Sequence, residues 1–284
     1  MNKPKKGVAW LTPTIRQEMR KAFLEGRTKT SIANEYGCGL TTVHRATSDL
    51  KSSQQHLRKY KVEQGFFSEV NKHKAYMLGV LWADGNLYER THTVSLSAHK
   101  NDIEEVEWFA SKLGVSHEAI KPHSYNCVQF RFTGKKLYQD LLEVGFDERK
   151  STEGAKKFNK EFLGPFLWDF VRGLIDGDGC VHFNERTGKR CVFVTGNQPT
   201  IFQLKEIFDS VGIVSYVSEN PGCWRITVSK QESLKKLFDL LYHQVKKEND
   251  GYYERKHRKF VGIYGYNPRR GRPNKKEVRS VEIV

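Results

Sequence analysis

The chain has 284 residues and a formal net charge of +15. Residues 1–61 hold 13 Lys/Arg against 4 Asp/Glu, residues 244–284 hold 12 against 5, and the middle holds 23 against 24; this basic excess at both ends calls for a polyanion, best met by nucleic acid. Five cysteines without close spacing exclude a disulfide framework or a zinc site, and the lack of any long apolar run or signal segment predicts a soluble intracellular protein, in cytoplasm or nucleoid, with no membrane partner.

In chain order, residues 14–25 read as a helix, 28–36 as a second, 37–39 (Gly-Cys-Gly) as a turn and 40–50 as a third. Leu40, Val43 and Ala46 are expected on the inner face of the third helix. Thr41, Thr42, His44 and Arg45 face outward near its start, where such a helix touches base edges. Residues 31–43 resemble the helix-turn-helix of resolvase-like and phage DNA-binding proteins. A polar stretch, 52–63, serves as linker, so a module of residues 1–60 is expected.

Residues 77–85 read Met-Leu-Gly-Val-Leu-Trp-Ala-Asp-Gly, and 171–179 read Val-Arg-Gly-Leu-Ile-Asp-Gly-Asp-Gly. Each is an apolar helical run with small residues four apart, Gly79/Ala83 and Gly173/Gly177. The repeat predicts two similar units about a pseudo-twofold axis. Small residues let two helix backbones approach closely, which would bring Asp84 and Asp178 together at their ends. Each carboxylate there faces the negative end of a helix macrodipole and repels the other. A divalent cation would relieve both, and hard oxygen ligands with an incomplete protein shell suit Mg²⁺ or Mn²⁺. The plainer reading is two core helices, each closed by a C-cap glycine.

Each motif is followed by matching elements. Strand-like runs at 93–97 and 191–195 precede helices at 102–113 and 200–211. Strands at 128–132 and 224–228 precede helices at 135–144 and 231–242. Bases fall in strands and turns, among them Arg131, Arg190 and Arg225.

These residues resemble the LAGLIDADG homing endonucleases in their single-chain, two-motif form, over about residues 66–262. The resemblance implies an α/β fold (α+β) of two αββαββα halves, 66–160 and 161–262, whose sheets form a saddle over DNA. It implies that Asp84 and Asp178 bind the catalytic metals, and that Trp82, opposite Asp176 of the second motif, leaves the catalytic position intact. It also implies a basic residue beside the active site after each half's last helix. The repeated Glu-Arg-Lys at 148–150 and 254–256 assigns Lys150 and Lys256 to that place, either stabilising charge or contacting phosphate.

Residues 263–284 form a basic tail. Its Arg-Gly-Arg-Pro core, with Arg270 and Arg272, resembles an AT-hook that lies in a narrow minor groove; a plain basic tail fits equally. Together these readings predict a monomeric, metal-dependent, site-specific endonuclease acting on double-stranded DNA, encoded by a mobile element. The rival is a nucleic-acid binder without cleavage on the same scaffold, either an RNA maturase or a sequence-specific DNA binder.

Overall fold

The structure is a computed structural model and describes residues 12–25, 27–50, 60, 62–123, 125–147, 157–184, 186–267 and 272–273. The chain divides into two compact units, residues 1–61 and 62–284.

The first unit holds α1 (Pro13–Leu24), α2 (Lys29–Glu35) and α3 (Leu40–Ala46). Thr12 and Thr28 accept the backbone N–H of Ile15 (3.3 Å) and Ser31 (3.1 Å), satisfying donors that a helix start leaves orphaned. Gly37 sits at φ +62°, a conformation a Cβ disfavours, and turns α2 into α3. Met19, Phe23, Ile32 and Val43 form the core. Arg20 binds both Asp49 oxygens at 2.6 and 2.7 Å. The third helix is shorter than expected, and Leu40 is 53% exposed rather than inward. Val43 and Ala46 make the contact with α1 and α2, and Leu40 at the helix start lies beyond it.

The second unit runs α4 (Lys72–Asp84), β1 (Gly85–Tyr88), β2 (Thr93–His99), α5 (Ile103–Lys112), β3 (Lys121–His123), β4 (Cys127–Thr133) and α6 (Lys135–Val144). It continues α7 (Lys160–Leu163), α8 (Leu167–Asp178), β5 (Gly179–Phe183), β6 (Arg190–Gly196), α9 (Gln198–Ser210), β7 (Tyr216–Asn220), β8 (Cys223–Val228), α10 (Gln231–Tyr242), α11 (Lys247–Asp250) and α12 (Glu254–Tyr264). A two-strand ladder, β9 (Tyr266–Asn267) with β10 (Arg272–Pro273), follows. The class is mixed α/β. Both large sheets are antiparallel, with orders β1-β2-β4-β3 and β5-β6-β8-β7. The central strands β2, β4, β6 and β8 are those the alternation predicts. The unpredicted β1, β3, β5 and β7 are all edges, at most five residues long.

The unit is built around the α4–α8 pair. A Cβ added at Gly79 would lie 2.0 Å from the Phe170 carbonyl oxygen, and one at Gly173 would lie 2.2 Å from that of Tyr76. One at Gly177 would lie 2.2 Å from the Ala83 Cβ. The helices therefore touch backbone to backbone through the four small residues of the repeat. Gly85 and Gly179 end them in extended conformation, φ −82° and −88°. A Cβ at either would stand 2.4 Å from the carbonyl four residues back, Leu81 or Ile175. Close approach, not a left-handed cap, is thus what requires glycine after each Asp.

Candidate active site and nucleic-acid interface

The seam delivers both helix C-termini to one place. Asp84 and Asp178 are the last residues of α4 and α8, and both are half-buried. The Asp84 Oδ2 lies 3.0 Å from the position a Gly177 Cβ would take, so its carboxylate rests against the residue preceding Asp178. Asp178 lines a cleft of about 270 Å³ with Trp82, Ala83, Thr195, Asn197, Thr200 and Cys223 among its walls. The donor set is two hard carboxylates, and no cluster of three His, Cys, Asp or Glu stands among the described residues. That set fits a hydrated hard cation which takes most of its ligands from water or phosphate, and does not fit a closed protein cage.

Beneath the carboxylates lies a buried polar network. Arg172, one turn before Asp176 on α8, is 1% exposed. It donates to Asp169 (2.7 Å) and to the carbonyls of Leu241 (2.9 Å), Asp250 (3.1 Å) and Gly251 (3.1 Å). The Asp176 Oδ2 accepts from the Tyr76 hydroxyl (3.0 Å) and the Tyr253 N–H (2.9 Å). Burial pushes the Asp176 carboxyl up to about 6, opposed by the nearby Lys256 ammonium and these two donors.

Lys256 lies beside the two carboxylate-bearing helix ends but is turned into the core. The Glu-Arg-Lys at 254–256 opens α12 instead of trailing the last helix. Lys256 is 4% exposed, and its Nζ donates to the carbonyls of Ile175 (3.0 Å), Asp176 and Gly177 (3.1 Å). Burial lowers its pKa, but three carbonyl acceptors and Asp176 favour the ammonium. All three of its donors are spent on the C-terminus of α8, where a cation offsets the macrodipole. Its partner in the repeat, Lys150, lies outside the described residues, as do Arg270 and most of the 52–63 linker.

The repeat is asymmetric two residues before the carboxylates. Trp82 is 4% exposed and donates to the Thr200 Oγ1 (3.2 Å) among Phe146, Phe158 and Phe170. Asp176, at the matching position, instead reaches Tyr76 of α4. One half fills this place with an aromatic core, the other with the network.

Each sheet has a helix-packed face and an open face. Val94, Leu96, Val128, Phe130 and Phe132 are buried on the first sheet, as are Val181, Val192, Val194, Ile226 and Val228 on the second. The alternate positions form the open faces. In the first sheet these include Asn86, Tyr88, Ser97, Lys121, Gln129 and Arg131; in the second, His182, Phe193, Thr195, Ser218, Arg225 and Thr227. No Asp or Glu occupies an open-face position of these strands: Glu219 is paired with Trp224 and shares its opposite side. Arg225 lies 4.5 Å over the Phe193 ring, and Arg131 lies 6.0 Å from that of Tyr88.

Arg190 does not stand on the open face. It pairs with Phe183 and shares the parity of Val192 and Val194, so it begins β6 on the helix-packed side, where its Nη1 donates to the Gly188 carbonyl (2.6 Å). Thr41, His44 and Arg45 are exposed and Thr42 half-buried on the outer side of α3. The Arg272 backbone pairs with Asn267 in the β9–β10 ladder.

Residues 166–242 match the family model described as a LAGLIDADG-like domain. The matched segment spans α8 to α10, and so includes Asp178 and Arg225 but neither Asp84 nor Lys256. No curated protein sequence matches the chain. Solved structures similar to it include the LAGLIDADG meganuclease I-AabMI bound to uncleaved DNA, at 14% identity over 75% of this chain and 97% of that one, TM-score 0.48. The I-CpaMI meganuclease bound to uncleaved DNA is similar at 14% identity over 75% and 97%, TM-score 0.44. I-SmaMI bound to its uncleaved target with calcium ions is similar at 12% identity over 75% and 97%, TM-score 0.41. Likeness at this level says nothing of chemistry.

Sequence reasoning assigned no role to three groups in and around the matched segment. Thr195 and Asn197 flank Asp178 in the cleft; Asn197 also caps α9, its Oδ1 accepting the Thr200 N–H at 2.9 Å. The Asn-x-x-Thr spacing is a visible cap signal. Arg172 and Asp176, four apart on one helix face, signal a buried polar stripe. Helix α12 had a signal in its apolar Phe260, Val261 and Ile263, all buried.

Proposed function

We propose that the protein is a site-specific DNA endonuclease that hydrolyses phosphodiester bonds with a divalent metal. The observation that carries this reading is the pair Asp84 and Asp178, delivered by backbone-packed helices to the junction of two sheets whose open faces hold donors and no carboxylate. A polyanion is drawn to those faces, and its phosphate has a place beside the two carboxylates. Asp84 and Asp178 would hold Mg²⁺ or Mn²⁺. When bound, the cation supplies neutralisation of the charge that develops at the scissile phosphate. Arg131 and Arg225 contact the duplex. The seam holds the two carboxylates in register, and the buried network keeps the α8 terminus fixed. The three N-terminal helices add a second DNA contact through Thr41, Thr42, His44 and Arg45, with Arg272 in the basic tail adding another. Both carboxylates lie on one chain, which suits a monomer acting on an asymmetric site.

One observation favours the second reading, a binder without cleavage. The Lys256 ammonium, which stands beside Asp178, is committed to the carbonyls of α8. The test is incubation of the full chain with supercoiled plasmid carrying the locus that flanks its gene, in Mg²⁺ or in EDTA. Linear product in Mg²⁺ alone supports the endonuclease. A retarded but uncut plasmid under both conditions supports the binder.

A further inference from the structure

The strand register ties the two open faces together residue by residue. Gly85, after Asp84, pairs with Leu96, which pairs with Phe130. Gly179, after Asp178, pairs with Val194, which pairs with Ile226. One residue before Phe130 is Gln129, and one before Ile226 is Arg225. These two occupy the same place relative to the carboxylates. Each stands beside a hydroxyl on the neighbouring strand, Ser97 or Thr195. By the same count Arg131 matches Thr227, not Arg225.

Arg225 is held in place on its strand. Its guanidinium lies over Phe193 at 4.5 Å, and its Nε is buried without a hydrogen-bond partner. A stacked guanidinium loses little rotamer freedom on binding and presents a planar fork. Gln129 is held as well, its Nε2 donating to the Ser97 Oγ at 3.0 Å. In the major groove an Arg fork matches the O6 and N7 of guanine, and a Gln amide matches the N6 and N7 of adenine.

Resting on the endonuclease reading, we infer that Arg225 and Gln129 read mirror-related base pairs differently, guanine on the side of the second sheet and adenine on the side of the first. The first half-site carries its own guanine farther out, opposite Arg131. Arg131 is two residues along β4 from Gln129, away from the end that meets the carboxylates. That is about 7 Å of strand, or roughly two base pairs at a rise of 3.4 Å. The target is therefore not palindromic, and its two guanine contacts lie at unequal distances from the centre.

The test is selection of a randomised duplex library by the full-length protein in Ca²⁺, followed by sequencing. Wild type should enrich one site with guanine at one position, adenine at its mirror, and a second guanine about two base pairs farther out on the adenine side. Arg225→Gln should convert the first guanine to adenine, changing discrimination at that position by roughly tenfold or more and at no other. Arg225→Lys keeps the charge and can still donate to guanine O6 and N7 but lacks the planar fork; it should weaken the guanine preference and keep the salt dependence. Gln129→Arg should turn the mirror adenine to guanine. Selection of no sequence by wild type would overturn the site-specific reading together with this inference. Selection of a defined site whose bases ignore all three variants, or whose guanines stand at equal distances, would overturn the inference alone.

Discussion

Replacing Gly173 by alanine tests the seam on which the candidate site depends. The new Cβ would lie 2.2 Å from the Tyr76 carbonyl oxygen, 2.8 Å from the Val80 nitrogen and 3.0 Å from the Gly79 Cα. All three are backbone atoms, so no rotamer change relieves the clash. Carbon–oxygen contacts need about 3.3 Å, so the helices must part by about 1 Å. A gap of that size forfeits about a quarter to a half of each dispersion contact along the seam. Ordinary overpacking costs about 1–3 kcal/mol, and a contact that only backbone movement can relieve belongs at the top of that range. For a unit of this size each kcal/mol lowers Tm by about 2–4 °C, so a fall of about 6–12 °C is expected. Gly173→Leu should cost more. Gly196→Ala is the control, since its Cβ meets only the Ile201 side chain at 3.7 Å. Differential scanning calorimetry of the three variants reads the effect. A Gly173→Ala protein that melts with wild type would show that the helices do not meet backbone to backbone.

Asp84→Asn and Asp178→Asn should each abolish Mg²⁺-dependent cleavage and leave DNA retention in gel shifts nearly unchanged; near wild-type cutting by either would remove that residue from the site. Lys256→Met should cost on the order of 3 kcal/mol in chemical denaturation by leaving Asp176 buried without its cation, and adding Asp176→Asn should recover part of the loss; unaltered stability with lost cleavage would instead place Lys256 at the phosphate. The chain begun at Phe66 should still cut, at higher protein concentration or lower salt, with the slope of log K against log salt flattened by roughly 0.9 per lost phosphate contact; an unchanged footprint would deny the first three helices a DNA role. Burial among Phe238, Tyr242 and Tyr252 lowers the His257 pKa from 6.5 to about 4. The folded state therefore binds fewer protons than the unfolded one between those values, and stability from a neutral His257 is whole above about 6.5 and lost as pH falls through about 4. His257→Phe should flatten Tm against pH in that window, and an unchanged slope would mean the ring is not buried neutral.

Features written in local spacing could be read from the chain alone. Glycine and alanine four apart give a helix one smooth stripe wherever it packs, and this stripe appears twice, so the close pair and the meeting of Asp84 with Asp178 followed from periodicity and sterics. The central strands followed from their alternation. Only the tertiary structure decided which surface each polar group meets. Lys256 contacts carbonyls some 80 residues earlier, and a surface lysine and a buried helix cap look alike in sequence until α12 is laid on α8. Arg190 and Arg225 both read as strand arginines; a single step of register parity sends one to the helix side and leaves the other on the open face, because a strand alternates its side chains with period two. The glycine after each Asp was visible, but its reason was not: it is the carbonyl four residues back, and only the folded turn from helix into strand brings that oxygen against the missing Cβ.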